Sequence, residues 1–165
     1  MAGHERPAAR ITAGLEPSLV DNAPLLLTSF SEEDIREFTL RVAGPAALLA
    51  AKAVKIGERL KDAEAGRADR VKEKDALDMF RLLQATDTES LVEAITLHTA
   101  DPHAKPTTQR ALQVLKAHGT TVSGVLPALA TTAAGGDPVV APSFVALVDE
   151  LVDALSSACP QLTLA

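Results

Sequence analysis

The stretch from Pro45 to Asp62 limits the possible folds of this chain more than any other. Gly44 turns the chain before it, and Pro45 suits the first position of a helix, where its missing N–H would have no partner. The apolar residues that follow recur at helical spacing within one narrow arc: Leu49, Ala53, Ile56 and Leu60. We therefore expect a long helix with this arc against a core and with Lys52, Lys55 and Arg59 along its border.

The residues available for a core also favour helices. The chain has four Phe and no Trp or Tyr, so Leu, Val, Ile and Ala must fill its interior. Alanine-rich interiors suit closely packed helices. At 165 residues the chain fits one domain, which would bury about 68–70% of the surface exposed by the unfolded chain.

Further helices are predicted after the first. Thr86 and Glu89 have the spacing of a capping box, and Gly119 follows an apolar pattern as a helix end. Residues 120–134 are rich in Ala and Thr and are interrupted by Pro127, so no regular element is assigned there. The predicted helices cover about residues 71–85, 86–99, 107–118 and 143–158.

A short β portion is predicted ahead of the helices. Residues 37–43 alternate polar and apolar side chains, which is typical of a half-buried strand. The apolar runs 18–20 and 25–28 indicate a weak hairpin or paired edge strands, with a polar loop at 31–34. The expected fold is α+β and predominantly α, with two or three strands followed by a bundle of about five helices.

We expect one domain over residues 1–165, with a sheet portion at 15–43 and a helical part at 45–165. A sheet of two or three short strands with one face uncovered is marginal on its own. The sheet portion therefore resembles a remnant that needs a covering partner. An isolated chain of this kind is expected to expose apolar surface and to associate.

The composition indicates a compartment and excludes some partners. Cys159 is the one cysteine, and neither a signal peptide nor an apolar run of about 18–20 residues is present. A cytoplasmic protein without a membrane span is expected. The net charge of −6 argues against a general nucleic-acid binder, but eight of the sixteen Lys and Arg lie between residues 52 and 74. An anionic ligand would be drawn to that region.

Asp75 is the most informative charged residue. In helical projection it lies between Met79 and Leu82, inside the apolar arc of the second helix. A buried acid needs a partner, and the basic border of the first helix supplies candidates, with Lys52 the foremost. The alternative is structural: acids are favoured near a helix start, and basic stripes are usually solvated. Both readings remain open on pattern alone.

These residues together carry a family resemblance. Lys52 is followed by Arg59 seven positions later, and after a loop Lys74 precedes Asp75-x-x-Asp78 and an apolar run. This arrangement resembles the second half of the AbiEii/AbiGii-type nucleotidyltransferases, bacterial toxins of the DNA polymerase β-like superfamily that are often encoded beside an antitoxin. The resemblance covers roughly residues 36–84 and includes the strand before the lysine helix.

The resemblance implies roles for particular residues. Lys52 would contact nucleotide phosphate, and Asp75 would be the catalytic acid that orients basic groups. Arg59 and Lys74 would also serve nucleotide binding, with Asp78 in support.

Two positions depart from the family pattern. Lys74 stands where arginine is usual, which matters because the two side chains differ in fork geometry. Lys55, assigned a supporting place, stands where a small residue is usual.

The metal-binding part of such an enzyme is not found in the sequence. The family carries a Gly-Gly or Gly-Ser turn before an Asp-x-Asp or Asp-x-Glu pair that holds magnesium. Nothing of that form precedes residue 36: Glu32, Glu33 and Asp34 lie in a loop, and Asp21 stands alone. We expect no metal site and no cofactor in this chain by itself. Magnesium and a nucleoside triphosphate would enter with a complementing half.

Three hypotheses follow. The first is a truncated or split nucleotidyltransferase-like protein, catalytically incomplete alone, which would belong to a toxin–antitoxin type system. The second is a non-enzymatic helical module that holds a protein partner. The third is a helical protein unrelated to the family. Expected partners are a second chain covering the sheet, a nucleotide, or another copy of the chain, and no membrane.

Overall fold

The computed structural model describes residues 12–66 and 72–158; the predictions at residues 1–11, Val71 and Cys159 lie outside these ranges. The chain forms a short 3-10 helix, Glu16–Leu19, and then two strands, β1 at Asn22–Thr28 and β2 at Glu37–Ala43. Six helices follow: α1 Pro45–Glu64, α2 Glu73–Ala85, α3 Thr88–Ala100, α4 Ala104–Gly119, α5 Val125–Ala133 and α6 Val140–Ala158. The predicted fold class, α+β and predominantly α, is confirmed.

Helix α1 packs against α2 on one side and α4 on another. The predicted arc faces the core, since Leu49, Ala53 and Ile56 are at most 2% exposed. Gly57 allows α4 to approach closely, because a Cβ there would lie 2.6 Å from Cγ2 of Val114. The small residues of α1 thus place α2 and α4 firmly against it.

Strands β1 and β2 form an antiparallel hairpin that stands apart from the bundle. Leu25 pairs with Leu40, flanked by Ala23 with Val42 and by Leu27 with Phe38, so one face is wholly apolar. The strand prediction at 37–43 is confirmed, but the expectation of half burial is wrong: six of its seven residues are exposed. Alternation identifies the apolar face of a strand, whereas burial depends on a covering element.

Several boundaries differ from prediction for local reasons. The predicted pairing of the runs 18–20 and 25–28 is wrong, because residues 16–19 form a 3-10 helix and the run 25–28 pairs with β2. Helix α3 is capped by Asp87, whose carboxylate accepts the Ser90 N–H at 2.8 Å, rather than by Thr86. Helix α4 begins at Ala104, so Pro106 lies in its first turn, where its missing N–H costs no helical bond.

One of the six helices, α5, was not predicted. Helix α5 occupies part of the segment 120–134, and Pro127 is its third residue. A proline near the start of a helix is tolerated, so it did not interrupt this segment. None of the described helices is long and apolar enough to cross a membrane.

Candidate functional site

The candidate site lies where the first turn of α2 meets α1. Asp75 is the third residue of α2 and points toward α1, with its side chain 6% exposed. The turns of α1 place Lys52, Lys55 and Arg59 on one side of that helix, since residues three and four apart are neighbours. Three cations therefore converge on one buried carboxylate.

Both oxygens of Asp75 accept hydrogen bonds from these cations. Oδ1 accepts from Nζ of Lys52 at 3.1 Å and from Nζ of Lys55 at 3.0 Å, while Oδ2 accepts from Nη1 of Arg59 at 2.5 Å. Lys52 also donates to Oδ2 of Asp78 at 2.6 Å. The predicted contact between Lys52 and Asp75 is therefore present, within a network of five side chains.

Lys74 stands apart from this network. It is exposed in the first turn of α2 and makes no ion pair with any residue that the structure describes. Its neighbour in sequence, Asp75, points toward α1, and residues one apart on a helix do not share a face. Of the six residues singled out from the sequence, the structure brings together all except Lys74.

The network fixes the charge states of its central pair. Burial pushes the pKa of Asp75 upward, but the hydrogen bonds from Lys55 and Lys52 outweigh burial and hold that pKa below its usual value. Burial likewise pushes the pKa of Lys52 downward, and the hydrogen bonds to Asp78 and Asp75 more than reverse it. Both groups stay ionised at neutral pH, which keeps the lysine fixed as a cation.

A cleft of about 370 Å³ opens beside the network. One wall is α1, from Leu48 to Asp62, and the other is formed by Thr12, Ala13 and Leu15. Its volume falls within the range of small-molecule sites. No functional role was predicted for Thr12 or Ala13, and Leu15 was assigned to the sheet portion.

The cations keep spare hydrogen-bond donors at this cleft. A lysine has three N–H donors and an arginine has five. Against described residues, Lys52 uses two donors, while Lys55 and Arg59 each use one. The remaining donors belong to side chains that line the cleft and are 21–46% exposed.

Acids on the cleft wall temper its positive charge. Glu58 and Asp62 both line the cleft. Glu58 accepts a hydrogen bond from Nη2 of Arg110 at 3.1 Å, so part of its charge is compensated from α4. An anionic ligand would meet oriented donors here rather than a strongly positive field.

Asp21 is a residue whose importance sequence reasoning missed. The sequence was searched for a second carboxylate beside it, not for other contacts. Its Oδ2 accepts the Ala47 N–H at 2.8 Å and lies 3.3 Å from Nε2 of the fully buried His98. It thereby caps α1 from outside the helix, since the residue at the helix start, Gly44, has no side chain to do so.

Gly44 is required by the same contact. A Cβ at this position would lie 1.7 Å from Oδ1 of Asp21. A helix that begins with glycine and proline lacks its own side-chain cap, and this was the available sequence signal for a cap from a distant residue.

The described residues contain no group of three or more His, Cys, Asp or Glu side chains placed to hold a metal ion. The two carboxylates of the network, Asp75 and Asp78, already accept hydrogen bonds from cations. A divalent cation would have to displace Lys52 to bind both carboxylates. The spare N–H groups of the network fit an anion.

Comparison of the chain with protein-family models, with curated proteins and with solved structures gives no significant match.

Proposed function

We propose that this chain is a nucleotidyltransferase-like protein that binds the phosphates of a nucleoside triphosphate in the cleft along α1. The observation that carries the proposal is the convergence of Lys52, Lys55 and Arg59 on Asp75, with spare donors at the cleft. It agrees with the roles implied by the resemblance to the AbiEii/AbiGii-type enzymes.

Asp75 acts in this proposal as a positioning residue. Its carboxylate holds three flexible side chains in place before a ligand arrives, which lowers the entropy lost on binding. Phosphate oxygens then accept the remaining N–H groups in charge-assisted hydrogen bonds. Asp78 supports the arrangement because it accepts a second hydrogen bond from Lys52.

Transfer of a nucleotidyl group would require a part that this sequence does not carry. Magnesium stabilises the charge on the phosphates during transfer when it is held by paired carboxylates. Since Asp75 and Asp78 are engaged with cations, those carboxylates would come from a second chain. The chain is thus catalytically incomplete alone, and by resemblance it would belong to a cytoplasmic bacterial toxin–antitoxin type system.

Isothermal titration with ATP tests the binding step directly. Wild-type chain is expected to bind, and Lys52→Ala is expected to weaken binding roughly 10- to 100-fold, the effect of one charge-assisted hydrogen bond. The matched control is Lys105→Ala, which removes an exposed lysine on α4 that does not line the cleft.

Two results would contradict the proposal: no heat of binding with the wild-type chain, or equal affinity for the wild type and Lys52→Ala. Repeating the titration with Mg²⁺ and the product of an adjacent gene tests complementation. A gain in affinity with the second protein would support a split enzyme.

A second function is favoured by the exposed hairpin. The chain could be a non-enzymatic helical module that holds a protein partner, because the apolar face of β1 and β2 is uncovered by any described helix. Under this function the cation network only joins α2 to α1. Absence of nucleotide binding, together with hairpin-dependent association, would favour it.

A further inference from the structure

The hairpin formed by β1 and β2 carries a surface that the cleft does not explain. Its apolar face is made of Leu25, Leu27, Phe38, Leu40 and Val42, which are 41–59% exposed, together with Ala23. No charged residue lies on this face, because Glu37, which pairs with Thr28, and Arg41, which pairs with Pro24, lie on the opposite face. We propose that the apolar face is the interface of a symmetric dimer, and that its occupant is a second copy of this chain.

The exposed area suits such a dimer. A fully exposed large apolar side chain offers on the order of 200 Å², so the five partly exposed side chains present roughly 450 Å². Phe30 and Ile35, in the loop joining the strands, are 110% and 91% exposed. These two side chains lie at the loop end of the hairpin, and the face itself, buried against a second copy, gives an interface of roughly 900 Å² in total, the size of a weak dimer. Apolar patches of this size on a monomer are often functional.

The order of side chains along the face makes it complementary to itself. The Leu25–Leu40 pair is central, with the large pair Leu27–Phe38 on one side and the small pair Ala23–Val42 on the other. Consider a two-fold axis that lies between the two faces and runs across the strands at the Leu25–Leu40 pair. It would place the large pair, Leu27–Phe38, of one copy against the small pair, Ala23–Val42, of the other. Such alternation lets two faces interdigitate. Because the face is uncharged, this pairing sets no like charges against each other.

The sequence of β1 also disfavours growth at its edge. Pro24 lies in the middle of the strand and has no N–H to donate to an added strand. Association through the face is isologous and closes at two copies, whereas edge pairing can continue without limit. A closed dimer is therefore the expected assembly. It does not depend on the proposed nucleotide site, because no residue of β1 or β2 lines the cleft.

Sedimentation equilibrium over a concentration series tests the dimer, with a matched pair of substitutions on β1. Leu25→Lys places a charge on the apolar face, and Leu26→Lys places the same charge on the opposite face, where Leu26 is similarly exposed. Because each substitution occurs twice in an isologous dimer, Leu25→Lys should raise the dissociation constant about 100-fold. Leu26→Lys should change it less than about threefold.

Leu40→Lys repeats the test from β2 and should match Leu25→Lys. Circular dichroism of each variant checks the helices, which should be unchanged because the hairpin stands apart from the bundle. A wild-type chain that stays monomeric overturns the proposal and leaves the face to a different protein. Equal dissociation constants for Leu25→Lys and wild type, or assemblies larger than two copies, also overturn it.

Discussion

Replacing Asp75 with asparagine tests the network at its centre. Asparagine keeps the shape of the side chain and one oxygen acceptor but removes the negative charge. Lys52 keeps its ion pair with Asp78, whereas Lys55 and Arg59 each lose the one ion pair that they form with a described residue. Two cations would then face each other without a carboxylate between them.

The expected loss of stability lies between two limits. Removing one partner of a fully buried ion pair costs about 3–5 kcal/mol, and an exposed pair contributes at most about 1 kcal/mol. Asp75 is buried, but Lys55 is 46% exposed and can turn toward water when the carboxylate is lost. We therefore expect Asp75→Asn to lower the free energy of unfolding by about 2 kcal/mol at pH 7.

The effect should depend on pH in a defined direction. The folded pKa of Asp75 is held below its ordinary value of 3.8, so the folded chain releases this proton more readily than the unfolded chain. The stabilisation is complete above pH 3.8 and is lost as the pH falls through the folded pKa. The difference between wild type and Asp75→Asn should accordingly persist at pH 5 and shrink only in stronger acid.

Urea unfolding followed by circular dichroism measures the effect. With a slope of about 2 kcal/mol/M, the predicted loss moves the midpoint by about 1 M. Asp153→Asn is the matched control, because Asp153 is exposed on α6 and forms no ion pair with a described residue. A midpoint for Asp75→Asn within about 0.25 M of wild type would contradict a stabilising role for the Asp75 carboxylate, as would an undiminished difference in strong acid.

Two further substitutions test other contacts. Burial holds the pKa of His98 below 6.5 despite the nearby Asp21. Wild-type stability should therefore be complete above pH 6.5 and fall as the pH drops toward the folded pKa. The urea midpoint of His98→Gln should stay constant over this pH range, whereas that of the control His103→Gln, at an exposed position, should fall as in the wild type. Gly57→Ala should cost about 1–3 kcal/mol through overpacking against Val114, with part of the loss recovered by Val114→Ala; an unchanged melting temperature for Gly57→Ala would contradict the packing described.

The parts of the fold that depend on local pattern were predictable. Pro45 and the apolar arc after it identify α1, and alternation identifies β2 with its apolar side. The predicted contact of Lys52 with Asp75 follows from two helical projections and the cost of burying an unpaired acid. The signals for α1 and β2 each lie within one short stretch of the chain, and the signal for the contact lies within two helices.

The remaining features depend on contacts between distant parts of the chain. Asp21 and His98 are 77 positions apart, and nothing near either residue indicates the other. The exposure of the hairpin depends on whether any element covers it, which its own sequence cannot specify. Residues 12–15 acquire a place at the cleft only because α1 packs beside them.

A nuclear magnetic resonance titration with ATP shows whether a nucleotide binds in the cleft along α1. Titration of ¹⁵N-labelled chain should shift the amide signals of the residues that line the cleft, which are Thr12, Ala13, Leu15 and one side of α1 between Leu48 and Asp62, and the Nζ signals of Lys52 and Lys55. In Lys52→Ala the same amide shifts should require roughly 10- to 100-fold more ATP, while the signals of α6 should stay in place in both proteins. Shifts confined to residues away from the cleft, or no shifts at all, would contradict a nucleotide site organised by Asp75.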